Sequence, residues 1–227
     1  MRRTILPLLA LLFAASAPCL AEPTAPAAIE PPPAGPAQPA AAAEPTHAPE
    51  RVDSEGIVVP EGYVLQVLGA TDGRIAMPKG WFYDNHATPS GWSWTFSVED
   101  PRKGGGFETG LTIQMFVQVQ EKTHQPREAF ARKFIEEKRH SGTLVHDCPV
   151  QDFPEFRRQC IEVVEDLPSA AGTKRFHVLY SMMWLKNMDI VALSTFGAPP
   201  QKWDAVSPVT EVMAAFVLIG KSPGNTN

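Results

Sequence analysis

The chain has 227 residues, of which 44% are hydrophobic and 20% are charged, and its formal net charge is −5. This length suits one domain with extensions, and the hydrophobic fraction excludes a wholly disordered protein. The acidic balance lacks the basic face that binding to phosphates requires, so we expect no nucleic-acid partner.

The first 21 residues have the pattern of a secretory signal peptide. Arg2 and Arg3 supply the positive charge, and the next 14 residues, 4–17, carry none. This apolar stretch is shorter than the ~20 residues that span a bilayer. Cys19 and Ala21 place small side chains at a cleavage site after residue 21. We therefore expect a periplasmic or secreted protein whose mature chain has no transmembrane segment.

Two other interpretations of this signal remain open beside ordinary Sec export. Cys19 stands where a lipoprotein signal has its acylated cysteine, although Pro18 precedes it in place of Gly or Ala. The Arg2-Arg3 pair ahead of an apolar run resembles a twin-arginine signal. Ordinary Sec export is the interpretation that the short charged region favours.

A Pro/Ala-rich segment, 22–55, follows the signal. Residues 22–50 contain nine Pro and ten Ala, and Ile29 is their one apolar side chain larger than Ala. Such a composition buries too little surface to offset the entropy of ordering, so we expect a disordered linker with polyproline character. The linker is either a tether through the envelope or a tolerated tail.

Residues 56–220 are predicted to fold as one domain, with a flexible tail at 221–227. Most of the domain alternates apolar and polar residues with the period of two that is typical of strands. We predict strands at 57–59, 63–68, 74–77, 92–98, 111–119, 143–150, 156–165, 174–186 and 189–196. The strand 174–186 is apolar on both faces, which indicates a central strand that is covered on both sides.

Two helices are also predicted. The first starts at Pro126, has Glu128 in its first turn and reaches about His140, in agreement with the helix dipole. The second has Ser207 as N-cap and ends at Gly220. Its residues expected to face the sheet are Val209, Val212, Met213, Phe216 and Val217.

The order of elements is strands, a helix, four strands and a helix, and near its start stands MPKGW, Met77–Trp81. This combination resembles the PsbP/Mog-type and DcrB-type superfamily over residues 56–220. The resemblance implies an α+β fold, namely an α/β/α sandwich on a curved, mostly antiparallel sheet flanked by helices. Families of this fold are mostly non-enzymatic, so the resemblance transfers no catalytic residue and no cofactor.

The sequence has none of the common motifs of catalysis. It lacks His-Glu-x-x-His, Gly-x-Ser-x-Gly and Ser-x-x-Lys, and the glycines 104–106 lead from a strand into a strand rather than into a helix. The histidines do not show the spacing of metal ligands on one helix. We therefore predict no catalytic residue, no metal site and no cofactor.

An aromatic patch is the candidate binding surface. Phe82, Tyr83 and His86 lie in a segment, 78–91, whose polar residues are typical of a loop. Aromatic side chains concentrate in binding surfaces, so these three are predicted to lie at or beside the main binding region. Three neighbours are assigned to the core instead: Trp81, Trp92 and Trp94.

Cys148 and Cys160 are predicted to form a structural disulfide. They are the two cysteines left after signal cleavage, in an oxidising compartment. A hairpin centred on Pro154 places them directly opposite each other, where Cβ atoms are ~4.5–5.5 Å apart, close to disulfide geometry. The same register opposes Leu144 to Val164, Val145 to Val163 and His146 to Glu162. Two buried free thiols and a redox pair remain the alternatives.

Three functional hypotheses follow. The first is a secreted, non-enzymatic binding or assembly module of a bacterial-type cell envelope, with an envelope protein as partner. The alternative is a protein that binds a small apolar ligand between sheet and helix, and the third is a hydrolase with a dispersed site. A pocket above ~300 Å³ with converging polar groups favours the second hypothesis.

Overall fold

A computed structural model of the chain describes residues 51–52, 56–103, 108–169 and 172–220. The predicted signal peptide, the linker up to residue 50, the glycines 104–106 and the tail 221–227 lie outside the described residues. The first described strand, Arg51–Val52, pairs with Val58–Val59 and so falls within the segment 22–55 that was predicted to lack structure.

The strands of the described residues are β1 (Arg51–Val52), β2 (Val58–Val59), β3 (Tyr63–Leu68), β4 (Asp72–Pro78), β5 (Phe82–Thr88), β6 (Gly91–Ser97), β7 (Gly110–Val117), β8 (Thr143–Asp147), β9 (Gln151–Asp152), β10 (Phe156–Ser169), β11 (Gly172–Leu185), β12 (Ile190–Ala198) and β13 (Phe216–Ile219). The helices are α1 (Val119–Thr123), α2 (Arg127–Arg139), α3 (Trp203–Val206) and α4 (Pro208–Met213).

One antiparallel sheet dominates the described residues and confirms the predicted α+β class. Its strand order is β5-β6-β7-β12-β11-β10-β8, with β9 also paired to β10. Strand β11 pairs with β10 along its whole length and with β12 from His177 to Trp184, which confirms the prediction of a central strand. One apolar face of β11 is buried under α2, whereas Leu179 and Met183 on the other face are only half-buried, so the predicted cover on both sides is present only in part.

Helix α2 covers one face of this sheet. Ala131 and Ile135 are fully buried against alternate residues of β10, β11 and β12. Phe116 breaks the alternation of β7 because it points to this side, where its ring lies 5.7 Å from that of Phe130. Pro126 is the N-cap of α2 rather than its first helical residue.

A three-stranded sheet, β13-β4-β3, together with α3 and α4, covers part of the other face. The prediction of one helix up to Gly220 is wrong, because α4 ends at Met213 and Phe216–Ile219 pairs with β4. The run Phe-Val-Leu-Ile fits a pleated strand better than a helix, and Leu218 is buried on its inner side. Ser207 has helical φ and makes no side-chain cap.

The predicted loop 78–91 is also wrong. Residues Phe82–Thr88 form β5, which pairs with β6 in register from Phe82 opposite Ser97 to Thr88 opposite Gly91. Strand β5 lies at one end of the sheet order, where the polar side chains of Asp84 and Asn85 fit without a buried partner. The polar residues of this edge strand gave the segment a composition that is also typical of loops, which explains the wrong prediction.

Candidate functional site

A groove of about 540 Å³ lies on the sheet face opposite α2, beside α4. It exists because the three-stranded sheet and the short helices leave the β10–β11 side of this face uncovered. Its floor comes from β7, β12, β11 and β10, and one wall is the segment 210–216. The floor residues are Leu111, Arg158, Cys160, Leu179, Ser181, Met183, Ala192, Ser194 and Phe196.

The strand register arranges the floor in rows. Cys160, Ser181 and Ser194 are direct cross-strand neighbours and form a polar row across the middle of the groove. The rows on either side are apolar except at β10: Arg158, Met183 and Ala192 on one side, and Glu162, Leu179 and Phe196 on the other, where Glu162 is paired with His177. A ligand along the groove therefore meets an apolar surface that is interrupted by two hydroxyl groups.

The rings of Phe153 and Phe156 form the second wall, beside the guanidinium of Arg158 at the β10 edge of the floor. The rings of Phe153 and Phe156 stack with centroids 4.6 Å apart. The guanidinium carbon of Arg158 lies 5.7 Å from the Phe153 centroid. Its Nε and Nη2 donate to Gln151 Oε1 at 3.0 and 2.7 Å. The guanidinium is therefore held beside the groove by two uncharged side chains, Gln151 and Phe153.

Cys148 and Cys160 are brought together next to this floor. Their Cα atoms are 5.0 Å apart, in the range of a disulfide, and the Cys148 N–H donates to the Cys160 carbonyl at 3.0 Å. The predicted pair His146–Glu162 is present. The other two predicted pairs are wrong, because a register shift after Glu162 places Leu144 opposite Val163 and Thr143 opposite Val164.

The three residues of the predicted binding surface do not reach the groove. They lie on β5, at the opposite edge of the sheet from β10 and β8. Tyr83 is half-buried, its ring lies 5.4 Å from that of Phe96, and its hydroxyl accepts a hydrogen bond from the Gly69 N–H at 2.9 Å. Burial raises the pKa of this hydroxyl. Phe82 is half-buried as well, and His86 is exposed.

The assignment of neighbouring tryptophans to the core agrees with the structure. Trp94 is fully buried, and its indole N–H donates to the Gly69 carbonyl at 2.9 Å. Trp81 and Trp92 are half-buried and pack against the same core cluster. The ring centroid of Trp81 lies 6.4 Å from that of Phe196, and Phe196 is one of the residues that line the groove.

A buried carboxylate lies on the other side of the sheet. Glu165 is 4% exposed and accepts hydrogen bonds from Lys138 Nζ, at 3.0 and 3.2 Å, and from the Tyr180 hydroxyl. Burial would raise the pKa of Glu165, but hydrogen bonds from Ser141, Tyr180 and Lys138 outweigh it and hold that pKa below its usual value. Burial, and then Glu165, raise the pKa of Tyr180. Lys138 of α2 is thus joined to Glu165 and Tyr180 of the sheet at a buried site.

Sequence patterns missed the groove residues for identifiable reasons. Ser181 interrupts the apolar face of β11 and could have been noticed as a polar residue between Leu179 and Met183. Arg158 has no such signal, because its place beside Phe153 depends on how β9 and β10 meet. In the described part of the chain, no cluster of three or more metal-ligating side chains occurs, and no helix is long and apolar enough to cross a bilayer.

No family model and no curated protein matches the chain. Solved structures are similar to it in fold. The PsbP of Synechocystis sp. PCC 6803 is 11% identical over 68% of this chain and 91% of its own, with a TM-score of 0.40. The Ran-binding protein Mog1p of Saccharomyces cerevisiae is 11% identical over 69% and 95%, with a TM-score of 0.44.

A third similar structure is LpqN of Mycobacterium tuberculosis, a protein involved in cell envelope biogenesis. It is 7% identical over 68% of this chain and 89% of its own, with a TM-score of 0.41. Proteins of the PsbP and Mog types, which the sequence resembles, are among these solved structures. At such low identity and TM-scores the likeness concerns the fold alone and carries nothing about function.

Proposed function

We propose that this protein is a secreted, non-enzymatic binding module of the cell envelope whose groove holds a small apolar ligand. The groove itself carries the proposal: its volume of about 540 Å³ falls in the range of ~300–1,000 Å³ that is usual for ligand sites. Its apolar rows, with a few polar groups between them, have the composition of such sites. Binding of a small apolar ligand, the alternative hypothesis of the sequence analysis, is therefore the function that we place first.

The location in the envelope is supported by two features. The signal-like segment 1–21 predicts export. The close approach of Cys148 and Cys160 fits an oxidising compartment, where disulfides form and persist.

The hydrolase hypothesis gains no support from the perturbed carboxylate. Catalytic groups with shifted pKa values act from a cleft that substrate can enter. Glu165 instead lies beneath α2, where Lys138 and Tyr180 use its oxygens, and the groove is on the opposite face of the sheet. Its shifted pKa is that of a structural ion pair.

The proposal is tested with the uncharged fluorescent probe 1-N-phenylnaphthylamine and the mature protein. We expect saturable binding with a rise in fluorescence. Ser181→Phe places a large side chain in the centre of the floor and should abolish binding. Thr173→Phe is the matched control, because Thr173 is exposed on the same strand and, eight residues away, on the same face.

Both variants should keep the wild-type circular dichroism and melt cooperatively, since Phe is well tolerated in strands. Absence of probe binding to the folded wild-type protein would contradict the proposal. Equal probe binding by Ser181→Phe and Thr173→Phe would place the ligand elsewhere and contradict it as well.

A protein partner at the β5 edge is the second candidate function. Among the described residues, β5 pairs with β6 alone, so its outer backbone is available for strand addition. The proposed contact residues are Phe82, Tyr83 and His86. Because Tyr83 is held by Gly69 and Phe96, the variant Phe82→Ala/His86→Ala is the sharper test.

We expect this double variant to retain the wild-type melting temperature within a few degrees and to lose cross-linked envelope partners in mass spectrometry. Ser181→Phe should retain those partners, because it alters the groove and leaves β5 unchanged. Partners captured equally by the wild type and the double variant would contradict docking at this edge.

A further inference from the structure

We infer that the groove is built for a single-chain amphiphile with one negative charge, a long-chain carboxylate whose head group pairs with Arg158. This inference rests on the proposed function, because it names the ligand class of the same groove. The acyl chain would lie along the apolar rows of the floor, and the carboxylate would lie at the β10 side.

The charge of Arg158 is not neutralised within the described residues. Its guanidinium donates to a neutral amide, Gln151 Oε1, and no described carboxylate lies within 4 Å of it. The adjacent Arg157 shows the usual alternative, since it is ion-paired with both Glu128 and Asp152. A cation kept beside an apolar groove without a fixed counter-ion is complementary to an anionic ligand.

Geometry favours a carboxylate as that anion. A guanidinium has five N–H donors in a planar fork. Gln151 Oε1 accepts hydrogen bonds from only two of its nitrogens, Nε and Nη2. The remaining donors suit two parallel hydrogen bonds to one carboxylate. The guanidinium carbon lies 5.7 Å from the centroid of the Phe153 ring, and both residues line the groove, so the cation is placed at the β10 side of the groove.

The charges of the lining indicate a single negative charge on the ligand. Arg158 is the one cationic residue among those that line the described groove, and Glu211 is the one anionic residue. Glu211 is exposed on α4, in the opposite wall. A polyanionic head group would bring more negative charge than the one cation of the lining balances, and Glu211 would add to the excess, whereas a monoanion is balanced by Arg158 alone.

The apolar part of the ligand follows from the rest of the lining. Leu179, Met183 and Phe196 on the floor face Met213 and Phe216 on the wall. An unbranched chain fits between these side chains, and each buried CH₂ adds to affinity by apolar transfer. Affinity should therefore increase from octanoate to laurate.

The test is displacement of 1-N-phenylnaphthylamine from the mature protein by laurate and by its uncharged analogue dodecanol, at neutral pH. We expect Arg158→Gln to weaken laurate about tenfold or more and to leave dodecanol unchanged. Arg175→Gln is the matched control. Arg175 is exposed on β11, at the end of the strand that is away from Arg158, and its loss changes the net charge equally. It should leave both ligands unchanged.

Glu211→Gln provides a second arm. We expect it to leave laurate binding unchanged or to strengthen it, because it removes a negative charge from the opposite wall. Weakened laurate binding in Glu211→Gln would contradict the electrostatic argument and overturn the inference. Tighter binding of dodecyltrimethylammonium than of laurate would overturn it in favour of a cationic head group.

The failures of the two proposals are distinguishable. Equal loss of affinity for laurate and dodecanol in Arg158→Gln, or no loss for either, overturns the anionic head group while the apolar groove stands. Failure of the probe, laurate and dodecanol to bind at all overturns both. A dimer that excludes the probe and dissociates in Ser181→Phe would assign the groove to a second copy of the chain and overturn the inference.

Discussion

At the scale of single residues, Glu165 shows how one buried charge links a helix to the sheet. Its oxygens accept from Lys138 of α2 and Tyr180 of β11, and it is 4% exposed. Lys138 Nζ also lies 4.4 Å from the centroid of the Tyr180 ring. Removing the carboxylate charge leaves the lysine beside apolar groups without its partner, which is more costly than the loss of an exposed ion pair.

We expect Glu165→Gln to lower the free energy of unfolding by about 2 kcal/mol at neutral pH. The pKa of Glu165 in the folded protein lies below its usual 4.5. Its ionised form therefore stabilises the fold above about pH 4.5, and this contribution is lost as the pH falls through the lower folded value. Urea unfolding of both proteins across acid pH should show the difference narrowing in that range.

Glu137→Gln is the control for this comparison, because Glu137 forms an exposed pair with Lys133 on the same helix. Its effect should stay below about 0.5 kcal/mol. A difference between wild type and Glu165→Gln that does not change with pH would contradict the electrostatic explanation.

Sequence patterns succeeded at this scale where the contact is local. The opposition of Cys148 and Cys160 agrees with a hairpin centred on Pro154, although the register shifts by one residue between the β9–β10 pairs and the β8–β10 pairs, and again after Glu162. The roles of Glu165 and Arg158 could not, since each depends on partners brought together by separate elements. No local pattern records such contacts.

At the scale of elements, the edge strand β8 depends on its connection to β10. Its five residues are all exposed, and Leu144 and Val145 have little apolar burial to hold them. The predicted Cys148–Cys160 bridge closes a short loop, with a sequence separation of 12. We expect the Cys148→Ala/Cys160→Ala variant to be about 2–3 kcal/mol less stable, with a Tm lower by roughly 5–10 °C.

Non-reducing mass spectrometry of the exported protein tests the bridge itself. We expect no alkylatable thiol in the freshly exported wild-type protein, and a reductant should lower its Tm towards that of the double variant. Two alkylatable thiols under these conditions would contradict the prediction.

Strand β13 supplies the next prediction at this scale. Leu218 is buried in the core cluster, whereas Ile219 is 41% exposed on the outer side. We expect Leu218→Ala to cost about 3 kcal/mol and Ile219→Ala under about 1 kcal/mol, because only the first leaves a cavity. Denaturant unfolding measures both. Equal costs would contradict the strand and its alternation.

Elements were predictable where one pattern excluded the others. Helix α2 has acidic and basic ends and an apolar stripe, and its predicted limits agree with the structure to within one or two residues. Phe216–Ile219 follows a short helix without a Gly or Pro between them, so the sequence pattern of the helix continues through the strand. Pairing with β4, more than a hundred residues away, decides its conformation.

At the scale of the whole molecule, the chain divides into an N-terminal segment of low complexity and a folded domain. We expect deletion of residues 22–50 from the mature protein to change the Tm by no more than a few degrees, because their composition offers almost no apolar surface to bury. Thermal unfolding of both forms measures this. A larger fall would show that the segment packs on the domain.

The predicted signal adds a test at the same scale. Export with cleavage after Ala21 should leave Glu22 as the first residue of the protein in the envelope fraction. Edman sequencing identifies that residue. An intact Met1 in this fraction would contradict the signal peptide.

The pairing of β13 with β4 has a consequence for the order in which the domain folds. Phe216 lies opposite Ile75 and Val217 opposite Arg74, so the two strands are joined only when almost the whole domain has been synthesised. Closing so long a loop is entropically costly and slow, and contacts of this separation form late. A nascent chain that ends before residue 216 therefore lacks one strand of the small sheet, and we expect it to remain open to proteases and to the export machinery until its C-terminal strand emerges.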